Sequence, residues 1–228
     1  SDGQGNVLLE EFNVGPAGGL SDAIVAVQKV KAGKPFHLGE AKYFATDCMF
    51  HPADIPPSEL YTVDKMGHAK HVHPLVNVIR NHERISVLNK DPIFHNGQVF
   101  QVERGNIMLN FPLPASDKPR GGVLNFQRGK KIGIMICGMH EFMQTWSFVV
   151  DNPYYAKTGS GGDFTIDQLP PGTYKVLAWH PHLKPIEKEV TISGGDTVSL
   201  EFEFDSSKVK RPTFETKNGI RSFKEREE

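Results

Sequence analysis

Apolar and polar residues alternate in short runs along most of the chain, and Gly, Pro, Asn and Asp bound those runs. A period of two between turn-forming residues predicts strands. The first two runs, residues 7–14 and 23–30, are separated by the turn Gly15-Pro16-Ala17-Gly18-Gly19. Further runs cover residues 75–79, 84–88, 99–103, 122–127, 131–136 and 145–150. The last third continues in the same style at 163–166, 173–179, 186–192 and 197–204. Its punctuation is Gly159-Ser160-Gly161-Gly162, Pro170-Pro171-Gly172 and Ser193-Gly194-Gly195-Asp196, all of them turn chemistry. Many short strands at this spacing predict an all-β chain built as sandwiches, not a parallel α/β sheet. Two segments break the pattern. Residues 53–72 read as a long surface insertion with one short helical turn, and residues 205–228 form a highly charged tail. The tail is expected to be extended, and ordered only by lying along this protein or a partner.

The length of 228 residues suits one large domain or two modest ones. A net charge of −1 gives no global pull toward nucleic acid or an anionic membrane. No apolar run reaches the roughly 18 residues a spanning helix needs. The polar opening Ser1-Asp2-Gly3-Gln4-Gly5 fits either the new end left by signal cleavage or the start of an expressed fragment. Cys48 and Cys137 are the only two cysteines, too few for a disulfide scaffold; one bridge and two separate thiols both remain open. Covalent haem attachment, nucleophile elbows, phosphate loops and His-Glu-x2-His are all missing, so no enzymatic motif is in view.

The chemistry concentrates in Cys137-Gly138-Met139-His140-Glu141-Phe142-Met143, which lies between two apolar runs. One tight loop thus presents a thiolate, an imidazole and a thioether. A thiolate and two imidazoles in a trigonal plane with a weak axial Met suit copper cycling between Cu(I) and Cu(II). The loop provides one imidazole, and His95, ending the segment Asp91-Pro92-Ile93-Phe94-His95, is the candidate for the second. Asn96 is expected to tie the two loops together through its side-chain amide.

Phe50-His51-Pro52, then Asn89 and His95-Asn96, then Cys-x2-His-x2-Met, in that order, resemble the cupredoxin family of plastocyanin and amicyanin type. The short loop is most similar to the amicyanin form. The resemblance implies a Greek-key β-sandwich holding a single type 1 (blue) copper ion on His95, Cys137, His140 and Met143. It also implies electron transfer, not catalysis, on the extracytoplasmic side of a bacterial membrane. The expected partners are redox proteins such as c-type cytochromes or a larger membrane-associated complex. Two other readings compete. One is a structural or binding protein in which a Cys48–Cys137 disulfide removes the thiolate. The other is a copper chaperone or store.

Residues 152–204 carry Gly162-Asp163-Phe164-Thr165-Ile166 and Leu169-Pro170-Pro171-Gly172-Thr173-Tyr174. They are similar to the carboxypeptidase regulatory-like domain, a transthyretin-like sandwich, which implies a structural or interaction module. The expected division is residues 1–35 as strands completing that module, 36–151 as the cupredoxin with its insertion at 53–72, 152–204 as the module itself and 205–228 as tail. His68, His71 and His73, within the insertion and just past its end, read as a solvated loop in preference to a second metal site. His180 and His182 read as a strand-end cap.

Overall fold

The computed structural model describes residues 12–56, 61–63, 69–71, 76–217 and 220–227. In chain order the strands are β1 (Ile24–Val27), β2 (Ala41–Thr46), β3 (Met49–Pro52), β4 (Tyr61–Val63), β5 (Ala69–His71) and β6 (Val76–Ile79). There follow β7 (Arg84–Asn89), β8 (His95–Gln101), β9 (Asn106–Leu113), β10 (Arg120–Val123), β11 (Ile132–Cys137) and β12 (Gln144–Val149). The chain closes with β13 (Tyr155–Lys157), β14 (Gly172–Trp179), β15 (Ile186–Ile192), β16 (Lys210–Lys217) and β17 (Ile220–Glu227). These strands form two compact units: residues 1–12, 38–149 and 213–224 make one, and residues 13–37, 150–212 and 225–228 the other.

The first unit is a sandwich of a four-stranded sheet, β10-β7-β2-β3, and a five-stranded sheet, β6-β12-β11-β8-β9. Two parallel pairings, β2 with β7 and β6 with β12, show that the chain crosses between sheets and does not run as simple hairpins. The period of two sends one side of each strand inward. Tyr43 and Ala45 from β2, and Ile85 and Val87 from β7, face Val99 of β8, Leu113 of β9, and Met135 and Cys137 of β11 in a common core. The opposite side of the five-stranded sheet is also buried, because Phe100, Ile134 and Trp146 stand in register there.

That outer face explains the tail. The segment expected to be extended folds back as the hairpin β16–β17. Phe214 stacks on Phe100, with ring centroids 5.6 Å apart, and Phe223 meets Trp146 edge-on at 6.2 Å. Beyond Phe223 the charged residues Lys224 to Glu227 remain exposed, so net composition conceals an amphipathic hairpin. In the insertion, the described residues Tyr61–Val63 pair with Ala69–His71, and the residues between them lie outside the described residues. His68 and His73 lie outside the described residues, as does the side chain of His71.

The second unit centres on the sheet β13-β1-β14-β15. β1 is an inner strand hydrogen-bonded on both sides, and all four of its residues are buried. Most of the first predicted run, residues 7–14, lies outside the described residues, and Val14 forms only an isolated bridge with Leu20. Residues 163–166 and 197–204 alternate as strands do, with Phe164, Ile166, Leu200, Phe202 and Phe204 packed on the core, yet they join no ladder. Alternation records which face is buried; backbone pairing is a separate matter. His180 and His182 are buried at the end of β14, where His182 donates its backbone N–H to His180 Nδ1 at 3.3 Å. Burial, reinforced by the neighbouring His182, depresses the His180 pKa to about 3, so its ring is neutral at physiological pH.

Candidate metal centre

Two strands of the five-stranded sheet deliver the chemistry to one end of the sandwich. β8 starts at His95 and β11 ends at Cys137, and their antiparallel register sets Cys137 opposite Gly97. His95 and Gly97 share the inward face of β8 with period two, so the imidazole and the thiol project into the same core. Past Cys137 the chain makes two successive turns: His140 N–H donates to Cys137 O at 3.2 Å, and Met143 N–H to His140 O at 3.0 Å. Cys137 N–H then closes the loop on Met143 O at 3.1 Å. These bonds bring residues three and six positions after the thiol back to it.

The structure gathers three of the four candidate side chains tightly. Cys137 Sγ is 3.7 Å from His95 Nδ1 and 3.7 Å from His140 Nδ1. The three donor atoms all lie within 4.8 Å of one another. Metal–sulfur and metal–nitrogen bonds of about 2.3 and about 2.0 Å at 120° give a sulfur–nitrogen edge of ~3.7 Å, which both sulfur–nitrogen distances here match. Met143 is fully enclosed in the same core cluster as Cys137. His95 and Cys137 have no exposure, whereas His140 is half-buried. No disulfide joins Cys48 and Cys137.

The surroundings favour a thiolate. Burial opposes ionisation of Cys137 most strongly. His95 together with the backbone amides of Asn96, Met139 and His140 outweighs it and lowers the thiol to about 6. Asn96 does link the two loops, but through its backbone, contrary to the sequence expectation. Its N–H donates to Cys137 Sγ at 3.4 Å, and its carbonyl accepts from Gly138 N–H at 2.8 Å. Its side-chain amide turns the other way and donates to Asn110 Oδ1 and Phe111 O. Adding a Cβ at Gly138 would press it against the Asn96 and Gln98 side chains, which accounts for glycine directly after the thiol.

Sequence reasoning missed Asp91, a buried residue four positions before His95. Its Oδ2 accepts from His95 Nε2 at 2.8 Å, which fixes the tautomer and leaves Nδ1, the atom facing Cys137, unprotonated in the neutral ring. The same carboxylate accepts backbone N–H groups from Asp47 at 2.7 Å and Cys48 at 3.0 Å. Those two residues form the β2–β3 turn with positive φ of 53° and 55°, an uncommon conformation for side-chain-bearing residues. Asp91 therefore offsets turn strain and orients an imidazole at once. Asp91→Ala is expected to cost about 3–5 kcal/mol, since charge-assisted bonds and buried donors are lost together. Urea titration of the metal-free protein checks this, and a loss below about 1 kcal/mol would contradict the assignment.

The sequence model of the carboxypeptidase regulatory-like domain matches residues 149–205. Among solved structures, the chain is similar to a purple cupredoxin from Nitrosopumilus maritimus at 20% identity, with a TM-score of 0.30. That likeness covers 48% of this chain and 99% of the other. No curated protein matches.

Proposed function

We propose that the sandwich holding His95, Cys137, His140 and Met143 binds a single type 1 copper ion on those four side chains and serves as an electron carrier. The observation behind this reading is the closed triangle of one thiol and two imidazole Nδ1 atoms, with 3.7 Å from Sγ to each nitrogen. A copper ion bound there supplies one-electron cycling between Cu(I) and Cu(II). The chain's own part is to hold the donors still. Asp91 fixes one imidazole, Asn96 N–H supports the sulfur, and the paired turns of residues 138–143 fix the other imidazole and the thioether. A site preorganised this way needs little rearrangement when its charge changes.

His140 is the route by which the electron leaves, because it alone among the four is only half-buried. The loops bearing His95 and His140 expose Ile93, Phe94 and Met139, the last at 59%. An apolar rim around a reactive edge suits brief docking of a redox protein, such as a c-type cytochrome or a membrane-associated complex. We place the protein outside the cytoplasm, and among the described residues no helix is long and apolar enough to cross a membrane. The scaffold alternative relied on a Cys48–Cys137 bridge, and no disulfide joins the two. Adding Cu(II) to the purified chain is expected to produce an intense visible band that saturates at one ion and bleaches reversibly on reduction. A colourless protein that retains no copper would overturn the proposal. Tight Cu(I) binding without reversible cycling would identify a store or chaperone.

A further inference from the structure

The C-terminal hairpin reaches the loop that carries three of the four candidate ligands. Along β17 the period of two places Arg221 and Phe223 on one side. Phe223 is 3% exposed and packs against Trp146 and Phe214, while its backbone N–H donates to Gly105 O at 3.0 Å. Held by that anchor, the Arg221 side chain is only 17% exposed. Its Nη1 donates to the carbonyl of Gly138 at 3.0 Å, and Nη2 pairs with the Glu141 carboxylate. The guanidinium also lies 5.3 Å from the centroid of the Phe214 ring. One side chain thus grips the loop on both sides of His140, at a sequence separation of 83 residues from Gly138.

We infer that Arg221 is a positioning residue: the hairpin is a strap that locks residues 138–141 and places a cation beside the metal centre, where it favours the reduced ion. The second half of this statement rests on the copper reading above. Bonds from a guanidinium fork to a carbonyl and a carboxylate are charge-assisted and directional, so they restrict loop motion more than a Lys could. A partly desolvated positive charge also acts on its surroundings with little screening, and it disfavours whichever oxidation state carries more positive charge. Arg221 and Cys137 are near enough to interact electrostatically. Glu141 sets the net effect, because it neutralises the guanidinium from the solvent side, where it is 56% exposed.

The test uses the full chain with Arg221→Gln, Arg221→Lys and Glu141→Gln. In the metal-free protein, amide hydrogen exchange of residues 138–141 is expected to quicken about tenfold in Arg221→Gln, with the exchange of β8 and β11 unchanged. In the copper-loaded protein, the midpoint potential is expected to fall in Arg221→Gln and to rise in Glu141→Gln. Arg221→Lys should keep the potential near the parent value while loop exchange still quickens. Opposite shifts from the two neutralising variants cannot arise from loosening alone. Unchanged loop exchange in Arg221→Gln overturns the strap, whether or not the protein takes up copper. Potentials that move in the same direction, or not at all, overturn the electrostatic role while leaving the copper site standing. Should Arg221→Gln release the whole hairpin, seen as fast exchange throughout β16 and β17, the Lys and Glu141 variants decide.

Discussion

Cys137→Ser is expected to abolish the intense visible band completely, while the chain keeps its fold and its remaining donors. The band requires a thiolate bound to copper, and no other sulfur can replace it. Cys48 lies near Asp91 and His95 but is not one of the donors gathered around His140. Met143 offers a thioether, a weak axial donor that gives no comparable band. The substitution changes volume little, and its cost in stability is about 1 kcal/mol, the usual order for a buried sulfur-to-oxygen change. Loss of colour can therefore be separated from loss of structure by recording circular dichroism on the same samples. Cys48→Ser is the control: it removes the other thiol and should leave the band intensity as it was. If Cys48→Ser bleaches the protein as fully as Cys137→Ser, the ligand assignment is wrong, and the buried Cys48, Asp91 and His95 group becomes the better candidate. A Cys137→Ser protein that remains coloured would have the same consequence.

What could be read from the sequence follows the range of the interactions. The Cys-x2-His-x2-Met loop was legible because its donors sit within seven residues, and tight turns keep such neighbours together. His95 was legible at one remove, through the ordered set of motifs that surrounds it. Asp91 was not, although it is only four residues from His95. Its role comes from meeting the Asp47–Cys48 turn, 44 residues away from Asp91 N-terminally, and nothing local in the sequence announces that contact. A usable signal did exist, in an Asp-Cys pair at a position where a hairpin turn normally takes Asn-Gly. Arg221 was hidden more thoroughly, because the abundant charge of the tail suggested solvation. Phe214 and Phe223 anchor the apolar side of that tail, and two aromatic residues make a weak periodic signal. Residues 197–204 show the opposite failure, where clear alternation accompanies an extended segment that pairs with no neighbour.

Deleting residues 1–35 is expected to unfold the second unit outright. β1 is bracketed by β13 and β14 and has no free edge in its sheet. Ile24, Val25 and Val27 are each at most 2% exposed, and Val25 and Val27 belong to the core that includes Tyr154, Val176 and Ala178. Burying such side chains contributes roughly 1.5–3 kcal/mol each, so β1 supplies about 5–9 kcal/mol before its ladder bonds are counted. Whole domains are stable by only about 5–15 kcal/mol. Further contacts go with the same segment: Lys34 N–H donates to the Tyr154 hydroxyl at 2.9 Å, and Asn152 Nδ2 donates to Val27 O at 2.8 Å. The family match begins only at residue 149, so β1, which pairs with β13 and β14, lies outside the matched stretch. Trp179, 3% exposed on β14, reports the outcome by fluorescence once Trp146 is replaced by Phe. The full chain should melt cooperatively by this probe, and the truncated chain should show a red-shifted spectrum with no transition. Val25→Asp, which places a charge in the same core, should act in the same direction without shortening the chain. A truncated protein that still melts cooperatively at Trp179 would show that residues 150–212 fold unaided, and β1 would then be an accessory strand, not the centre of its sheet.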